Sequence, residues 1–238
     1  MLVHPHLGFF PVLEGIDGCG KGKQAERLVN RLLELGPIVI HTREPGGKDM
    51  RTGREIVVAE ELRRTMITPR ENLDDSPTPM AELFNMAASR TQHVDRLIRP
   101  ELKAGSIVLS ERYYQSTRAY QIHGRGLDDE FVERVIYESI REVEPDIVII
   151  LDVPAVIAAA RKKAQAQAKG ESLDRFEGEG LEFLERVRQG YLQIAEGIGN
   201  YHVVDGTASI EEVAEKIWEL ISASYSDRVR LSDSLQLK

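Results

Sequence analysis

The chain has 238 residues, enough for a single domain with a sizeable core. Apolar residues make up 42% and charged residues 29%, which excludes a disordered chain. The 39 acidic residues outnumber the 31 basic ones, and the net charge of −8 argues against non-specific binding to nucleic acid or an anionic membrane, which calls for a basic face.

A single cysteine rules out an intramolecular disulfide framework and a Cys-rich zinc site. No apolar run approaches the roughly eighteen residues of a membrane span. The first eight residues carry no Lys or Arg and no long apolar stretch, so no signal peptide is expected. The expectation is a soluble, cytoplasmic protein, with one domain over residues 1–225 and a frayed polar tail over 226–238.

In chain order, short runs rich in Val and Ile fall at residues 9–13, 38–41, 107–109, 147–151 and 201–204. Consecutive apolar positions of this length predict strands covered on both faces of a parallel sheet. Helical stretches are expected at 22–35, 54–66, 79–104, 128–143, 154–168, 174–197 and 209–222. Alternation of this kind predicts an α/β fold with right-handed crossovers. Two regions break the rhythm: a polar, proline-containing loop at 68–79, and an Ala-, Gln- and Lys-rich segment at 162–172.

The first strand runs into Gly15-Ile16-Asp17-Gly18-Cys19-Gly20-Lys21, and a helix follows. Gly, four residues, then Gly-Lys is the spacing of a phosphate-cradling loop. The glycines let backbone N–H groups point inward, the helix N-terminus adds partial positive charge, and Lys21 adds a full one. Such loops continue with Ser or Thr, whose hydroxyl ligates Mg²⁺; here Gly22 follows, then Lys23. Water can stand in for that hydroxyl on Mg²⁺. Cys19 is read as a small residue tolerated within the loop.

Thr42-Arg43-Glu44-Pro45-Gly46-Gly47 ends the second strand, at the edge where open α/β sheets bind ligands. Arg43 there offers a planar fork for phosphate. In the helix at 79–104, Met86 and Arg90 lie four apart on one face, an arrangement suited to holding a base. Ser110-Glu111-Arg112-Tyr113 puts a carboxylate and a guanidinium at the same sheet edge as Lys21, the former for a metal or its waters and the latter for phosphate charge. Ser116, Thr117, Tyr120 and Gln121 follow. A basic, Gly-punctuated stretch with Arg161, Lys162, Lys163, Lys169, Gly170 and Arg175 reads as a lid over about residues 161–176. The six histidines show no metal-ligand spacing.

Taken together and in order, these segments resemble the thymidylate kinase family. The resemblance runs from Leu13-Glu14-Gly15-Ile16-Asp17-Gly18 through Arg43-Glu44-Pro45-Gly46-Gly47, Ala88-Ser89-Arg90-Thr91-Gln92-His93-Val94, Ile98-Arg99-Pro100 and Arg112-Tyr113. It continues through Ala119-Tyr120-Gln121, Gly124-Arg125-Gly126-Leu127, Pro145-Asp146, Leu151-Asp152-Val153-Pro154 and Leu173-Asp174-Arg175-Phe176-Glu177. It implies a P-loop fold with a five-stranded parallel sheet flanked by helices on both faces, a lid and a homodimer. The implied reaction moves a phosphoryl group from ATP to dTMP, with Mg²⁺; the alternatives are a deoxynucleoside monophosphate kinase of shifted base preference, or a catalytically weakened nucleotide-binding homologue.

The resemblance also implies roles. Gly15, Ile16, Asp17, Gly18, Cys19, Gly20, Lys21 and Gly22 would hold the ATP phosphates. Arg43 and Arg112 would take the acceptor phosphate, and Asp17 would help position dTMP. Met86 and Arg90 would face thymine, with Ser116, Thr117 and Gln121 nearby, and Tyr120 would pack on the sugar. Lys21, Arg112, Asp17, Glu111, Lys163 and Arg161 form the implied catalytic set, with Glu111 and Asp17 at the metal. The family pattern differs at four places: Gly22 for a hydroxyl residue, Glu111 for Asp, Met86 for an aromatic residue and Lys48 for Thr.

Overall fold

The computed structural model describes residues 7–69, 76–170, 175–176 and 179–236. Residues 70–75 of the loop expected at 68–79, and Leu173, Asp174 and Glu177 of the lid motif, lie outside the described residues.

Five parallel strands form one sheet: β1 (Pro11–Glu14), β2 (Val39–Arg43), β3 (Ile107–Glu111), β4 (Ile147–Asp152) and β5 (Tyr201–Asp205). Their spatial order is β2-β3-β1-β4-β5. The chain leaves β1 to one side for β2 and later crosses to the other side for β4. The turn after β1 therefore lies at the crevice where strand order reverses, the usual ligand position in an open α/β sheet. Register brings the strand ends level: Leu13 pairs with Glu111, and Glu111 with Arg43. Buried apolar side chains such as Val12, Leu13, Leu109 and Ile149 make the sheet the centre of the core.

The helices between strands are α1 (Lys21–Leu33), α2 (Val57–Ile67), α3 (Pro79–His93), α4 (Arg99–Lys103), α5 (Tyr114–Thr117), α6 (Asp129–Ile140), α7 (Ala155–Lys169), α8 (Leu181–Ala195) and α9 (Ile210–Gln236). Thr78 caps α3 by accepting from the Ala81 N–H, with Pro79 in the first turn, and Asp128 caps α6 by accepting from the Phe131 N–H. The stretch expected as one helix over 79–104 is interrupted by a wide π turn at Val94–Ile98. Pro100 has no N–H to return to the carbonyl four residues back, and the ladder widens there. The Arg96 carbonyl accepts instead from Arg54 Nη2 at 3.5 Å.

Three boundaries differ from expectation. α8 starts at Leu181 rather than 174, just after the residue Gly180 that precedes it. A short helix and π turn over Tyr114–Thr117 and Arg118–Gly124 were not expected, because polar site residues mask their period. The expected frayed tail from 226 is instead the end of α9, which runs to Gln236. Tertiary contacts override local polarity there: Arg228 Nε donates to the Gly8 carbonyl at 3.3 Å and lies 3.4 Å from Asp146 Oδ1, and Phe9 packs edge-on against Tyr225. Among the described residues, no helix is long and apolar enough to cross a membrane.

Candidate active site

The turn from β1 into α1 is shaped by glycines. Gly18 has φ +86°, and a Cβ there would collide with the Ala158 carbonyl oxygen, so a side chain is excluded on both counts. Gly20, φ +100°, caps α1 with open space around its Cα and no side-chain cap, and the first turn holds no acidic residue. An uncapped, acid-free helix N-terminus is an anion site. Lys21 is buried, and its Nζ donates to the carbonyls of Gly15 (2.8 Å) and Ile16 (3.0 Å) and approaches Cys19 Sγ (3.5 Å).

Arg112 follows β3 with φ +70°, in a region L-residues seldom adopt and which costs on the order of 1–3 kcal/mol. Its backbone is tied on both sides, N–H to the Leu13 carbonyl (2.9 Å) and carbonyl to Ser110 Oγ (2.7 Å). The guanidinium divides between two groups of partners. Nη1 donates to Ser116 Oγ (3.1 Å) and Tyr191 Oη (2.9 Å); Nη2 donates to Asp17 Oδ1 (2.7 Å) and Tyr120 Oη (3.2 Å). Tyr120 Oη donates to Asp17 Oδ2 at 3.0 Å.

Burial alone would raise the Asp17 carboxyl, but the charges of Arg112 and Lys21 and the bonds from Arg112 and Tyr120 outweigh it. They hold Asp17 well below the ordinary carboxylate range. Beneath lies Glu14, fully buried, accepting from the N–H groups of Tyr113 and Ser116, from Ser116 Oγ and from Tyr191 Oη. Burial raises its carboxyl, against the pull of Arg112 at 4.0 Å.

On the opposite wall, Arg43 is aimed by Glu60, whose Oε2 accepts from Nη2 at 3.1 Å while Oε1 accepts from the Gly47 N–H. Arg90 is 3% exposed and fixed on three sides: Nε to Glu44 Oε2 (2.8 Å), Nη1 to Ser139 Oγ (3.3 Å) and Nη2 to Thr117 Oγ1 (2.7 Å). Three of its five N–H groups are thus committed, and the plane is locked. Met86 lies one turn earlier. Tyr120 meets the Phe176 ring edge-on at 5.9 Å, and Gln121 Nε2 donates to Glu82.

These walls line a cleft of about 200 Å³ that opens to solvent at its mouth. Asp17, Lys21, Arg43, Met86, Arg90, Glu111, Arg112, Ser116, Thr117, Tyr120 and Gln121, all singled out in the sequence, line it. So do Lys162 from α7 and Phe176, both named in the expected lid, and Arg63 from α2, which sequence reasoning did not single out. Among the described residues, Lys21, Arg43, Arg63, Arg90, Arg112 and Lys162 share the lining with three carboxylates, Asp17, Glu44 and Glu111, so a net-acidic chain presents a cationic cleft there.

Two expected catalytic cations are not in it. Arg161 Nη1 donates to the Gly206 carbonyl at 2.9 Å, and Lys163 is exposed on α7. Neighbouring helical residues point about 100° apart, so only one of 161–163 can face the cleft, and that one is Lys162. Lys23 is exposed beside Glu26, away from the phosphate loop's inner side. Arg175 is held by the Met66 carbonyl and Glu82.

Of the two carboxylates expected at a metal, Asp17 has both oxygens engaged by Arg112 and Tyr120. Glu111 differs. Its Oε1 meets His41 Nε2 at 2.9 Å, while Oε2 is directed at Gly22. Among the described residues no group of three or more His, Cys, Asp or Glu side chains could enclose a metal ion. One hard carboxylate oxygen beside a phosphate loop fits Mg²⁺, which keeps most of its shell as water and substrate phosphate. An ion needing an all-protein cage does not fit.

A protein-family model described as "Thymidylate kinase" matches residues 13–217. Curated proteins named thymidylate kinase are similar over most of their length. The Geobacter sp. strain M21 protein is 37% identical over 217 residues, covering 90% of this chain and 92% of its own. The Syntrophotalea carbinolica protein is 39% identical, covering 89% and 94%, and the Cereibacter sphaeroides protein 40%, covering 87% and 90%.

Proposed function

The chain belongs to the thymidylate kinase family and transfers a phosphoryl group from ATP to dTMP, giving dTDP and ADP, and from that premise we propose how its residues divide the work. The observation that carries the assignment is the convergence of Lys21, Arg43 and Arg112, from three separate segments, on one cleft at the C-terminal sheet edge.

Lys21 and the N–H groups of the loop and the first turn of α1 take the donor phosphates. Arg43 and Arg112 take the acceptor phosphate, supported by the way Glu60 and Asp17 aim them. Arg112, flanked by the loop residue Asp17, is placed to touch both phosphates. Met86 and the locked plane of Arg90 meet the base, and Tyr120 the sugar. Of the lid cations expected over the transferring group (Arg161, Lys162, Lys163, Lys169 and Arg175), Lys162 fills that place. The acceptor is a phosphate oxygen, already anionic at neutral pH, so no strong general base is required. The protein's contribution is alignment plus cationic stabilisation of the equatorial oxygens.

Glu111 would help hold Mg²⁺ arriving with ATP, which would supply neutralisation of phosphate charge. Asp17, with both oxygens spent, serves Arg112 instead. The substrate class and the single unpaired Cys19 support a cytoplasmic location. Exposed Val57 and Val58 on α2, Phe84 on α3 and Tyr137 on α6 support a homodimer through these helices.

A coupled assay of ADP release tests the assignment. With dTMP and Mg·ATP the protein turns over, and Lys21→Ala lowers kcat by about 10³-fold or more with the fold retained by circular dichroism. Unchanged turnover in that variant would remove Lys21 from the donor site.

A further inference from the structure

Phosphate loops of this spacing place a hydroxyl side chain immediately after the lysine, and here that position is Gly22. A Cβ built on Gly22 would lie 3.3 Å from Glu111 Oε2 and 3.9 Å from Oε1. A hydroxyl one bond further out would compete with that carboxylate for the same volume. The carboxylate is also held in place. His41 is buried on β2 in register with Leu109, two residues before Glu111, and its ring crosses the diagonal between strands to reach Oε1 at 2.9 Å. That contact uses one oxygen and leaves the other turned toward the first turn of α1. Glu111 is 19% exposed at its side chain and lines the cleft with Lys21, so Oε2 lies beside the donor-phosphate position rather than inside the core.

We propose that Gly22 and Glu111 form one compensating unit. Glu111 Oε2 occupies the place of the missing hydroxyl and supplies the protein oxygen beside the nucleotide's divalent cation. Gly22 leaves Oε2 its place, because a side chain there would crowd it by a few tenths of an ångström, and His41 is a positioning residue that fixes the carboxylate. This deepens the reading of the cleft as the donor-phosphate site and rests on it. An anionic oxygen in place of a neutral hydroxyl ties nucleotide affinity to the cation more strongly, because without the cation the carboxylate faces phosphate charge directly.

The test is calorimetric binding of the non-hydrolysable analogue β,γ-imido-ATP, with and without Mn²⁺ as the divalent probe, expressed as the ratio of the two affinities. Glu111→Gln is expected to lower that ratio by about tenfold, while the metal-free affinity does not fall. Gly22→Ser alone is expected to lower it several-fold by crowding Oε2. Combining Gly22→Ser with Glu111→Asp is expected to recover most of the loss, because a hydroxyl and a shorter carboxylate share the volume. His41→Phe is expected to lower the ratio with metal-free binding intact.

An unchanged ratio in Glu111→Gln would overturn the proposal, as would a double variant no better than the weaker single. Either result, with metal-free binding present, leaves the donor-site reading standing. Failure of the unaltered protein to bind the analogue at all would overturn that reading and the pair with it.

Discussion

Arg112 carries more of the site's geometry than any other single side chain. Its positive φ is held by bonds to its backbone on both sides, and its two terminal nitrogens reach four partners on four segments. A lysine there has one nitrogen and no plane, so it cannot span Asp17 and Tyr191 together. Arg112→Lys is expected to lower kcat/KM for dTMP by about 100-fold, about 2.7 kcal/mol at 1.36 kcal/mol per decade. Steady-state kinetics at saturating Mg·ATP checks this, and a loss under fivefold would contradict the role.

At this scale the cations and Asp17 are legible in the sequence, because each follows an apolar run or sits in a fixed spacing. Their partners are not. Glu60 behind Arg43, Glu44 behind Arg90 and His41 behind Glu111 are 17, 46 and 70 residues away from the groups they hold, and only folding joins them. The choice of Lys162 over its neighbours depends on the rotational phase of α7, which an Ala- and Lys-rich composition does not reveal.

The strands illustrate the same division among elements. Apolar runs locate all five, yet the expected second and third strands stop at 41 and 109, whereas β2 and β3 continue to Arg43 and Glu111. The missing residues are polar, and the last of each strand, Arg43 and Glu111, lines the cleft: function interrupts the apolar pattern where the strand becomes useful. α9 shows the converse, a polar segment held helical by distant contacts. Arg228 and Asp146 are 8% and 5% exposed at their side chains, and Asp146 Oδ2 also accepts from the Phe10 N–H that leads into β1.

Removing one partner of a buried ion pair costs about 3–5 kcal/mol. Arg228→Ala is therefore expected to lower Tm by roughly 6 °C or more, at about 2–4 °C per kcal/mol for a domain of this size. Because α9 does not line the cleft, kcat stays within about twofold. Differential scanning calorimetry with the ADP-release assay checks both, and an unchanged Tm would show that the end of α9 is not clamped.

For the whole molecule, the distribution of charge matters more than its sum. A chain of net −8 gathers six cations around one cleft, where they select for phosphate against the field of the remaining surface. The fold class and its parallel sheet are readable from strand–helix alternation. The strand order is not, because crossing over β1 to reach β4 leaves no local trace in the sequence. The proposed dimer rests on surface rather than pattern. Tyr137 is 63% and Phe84 52% exposed on packed neighbouring helices, and light scattering is expected to give twice the 26.8 kDa chain mass. A monomer at micromolar concentration would contradict the proposed dimer.

A crystal structure with dTMP and β,γ-imido-ATP bound together probes the shared cleft most directly. Nitrogens of Arg43 and Arg112 should lie within about 3.2 Å of the dTMP phosphate oxygens, with Lys21 Nζ on the analogue's phosphates and thymine against Met86. A dTMP phosphate bound away from both arginines, or an analogue whose phosphates bypass the turn between β1 and α1, would contradict the account.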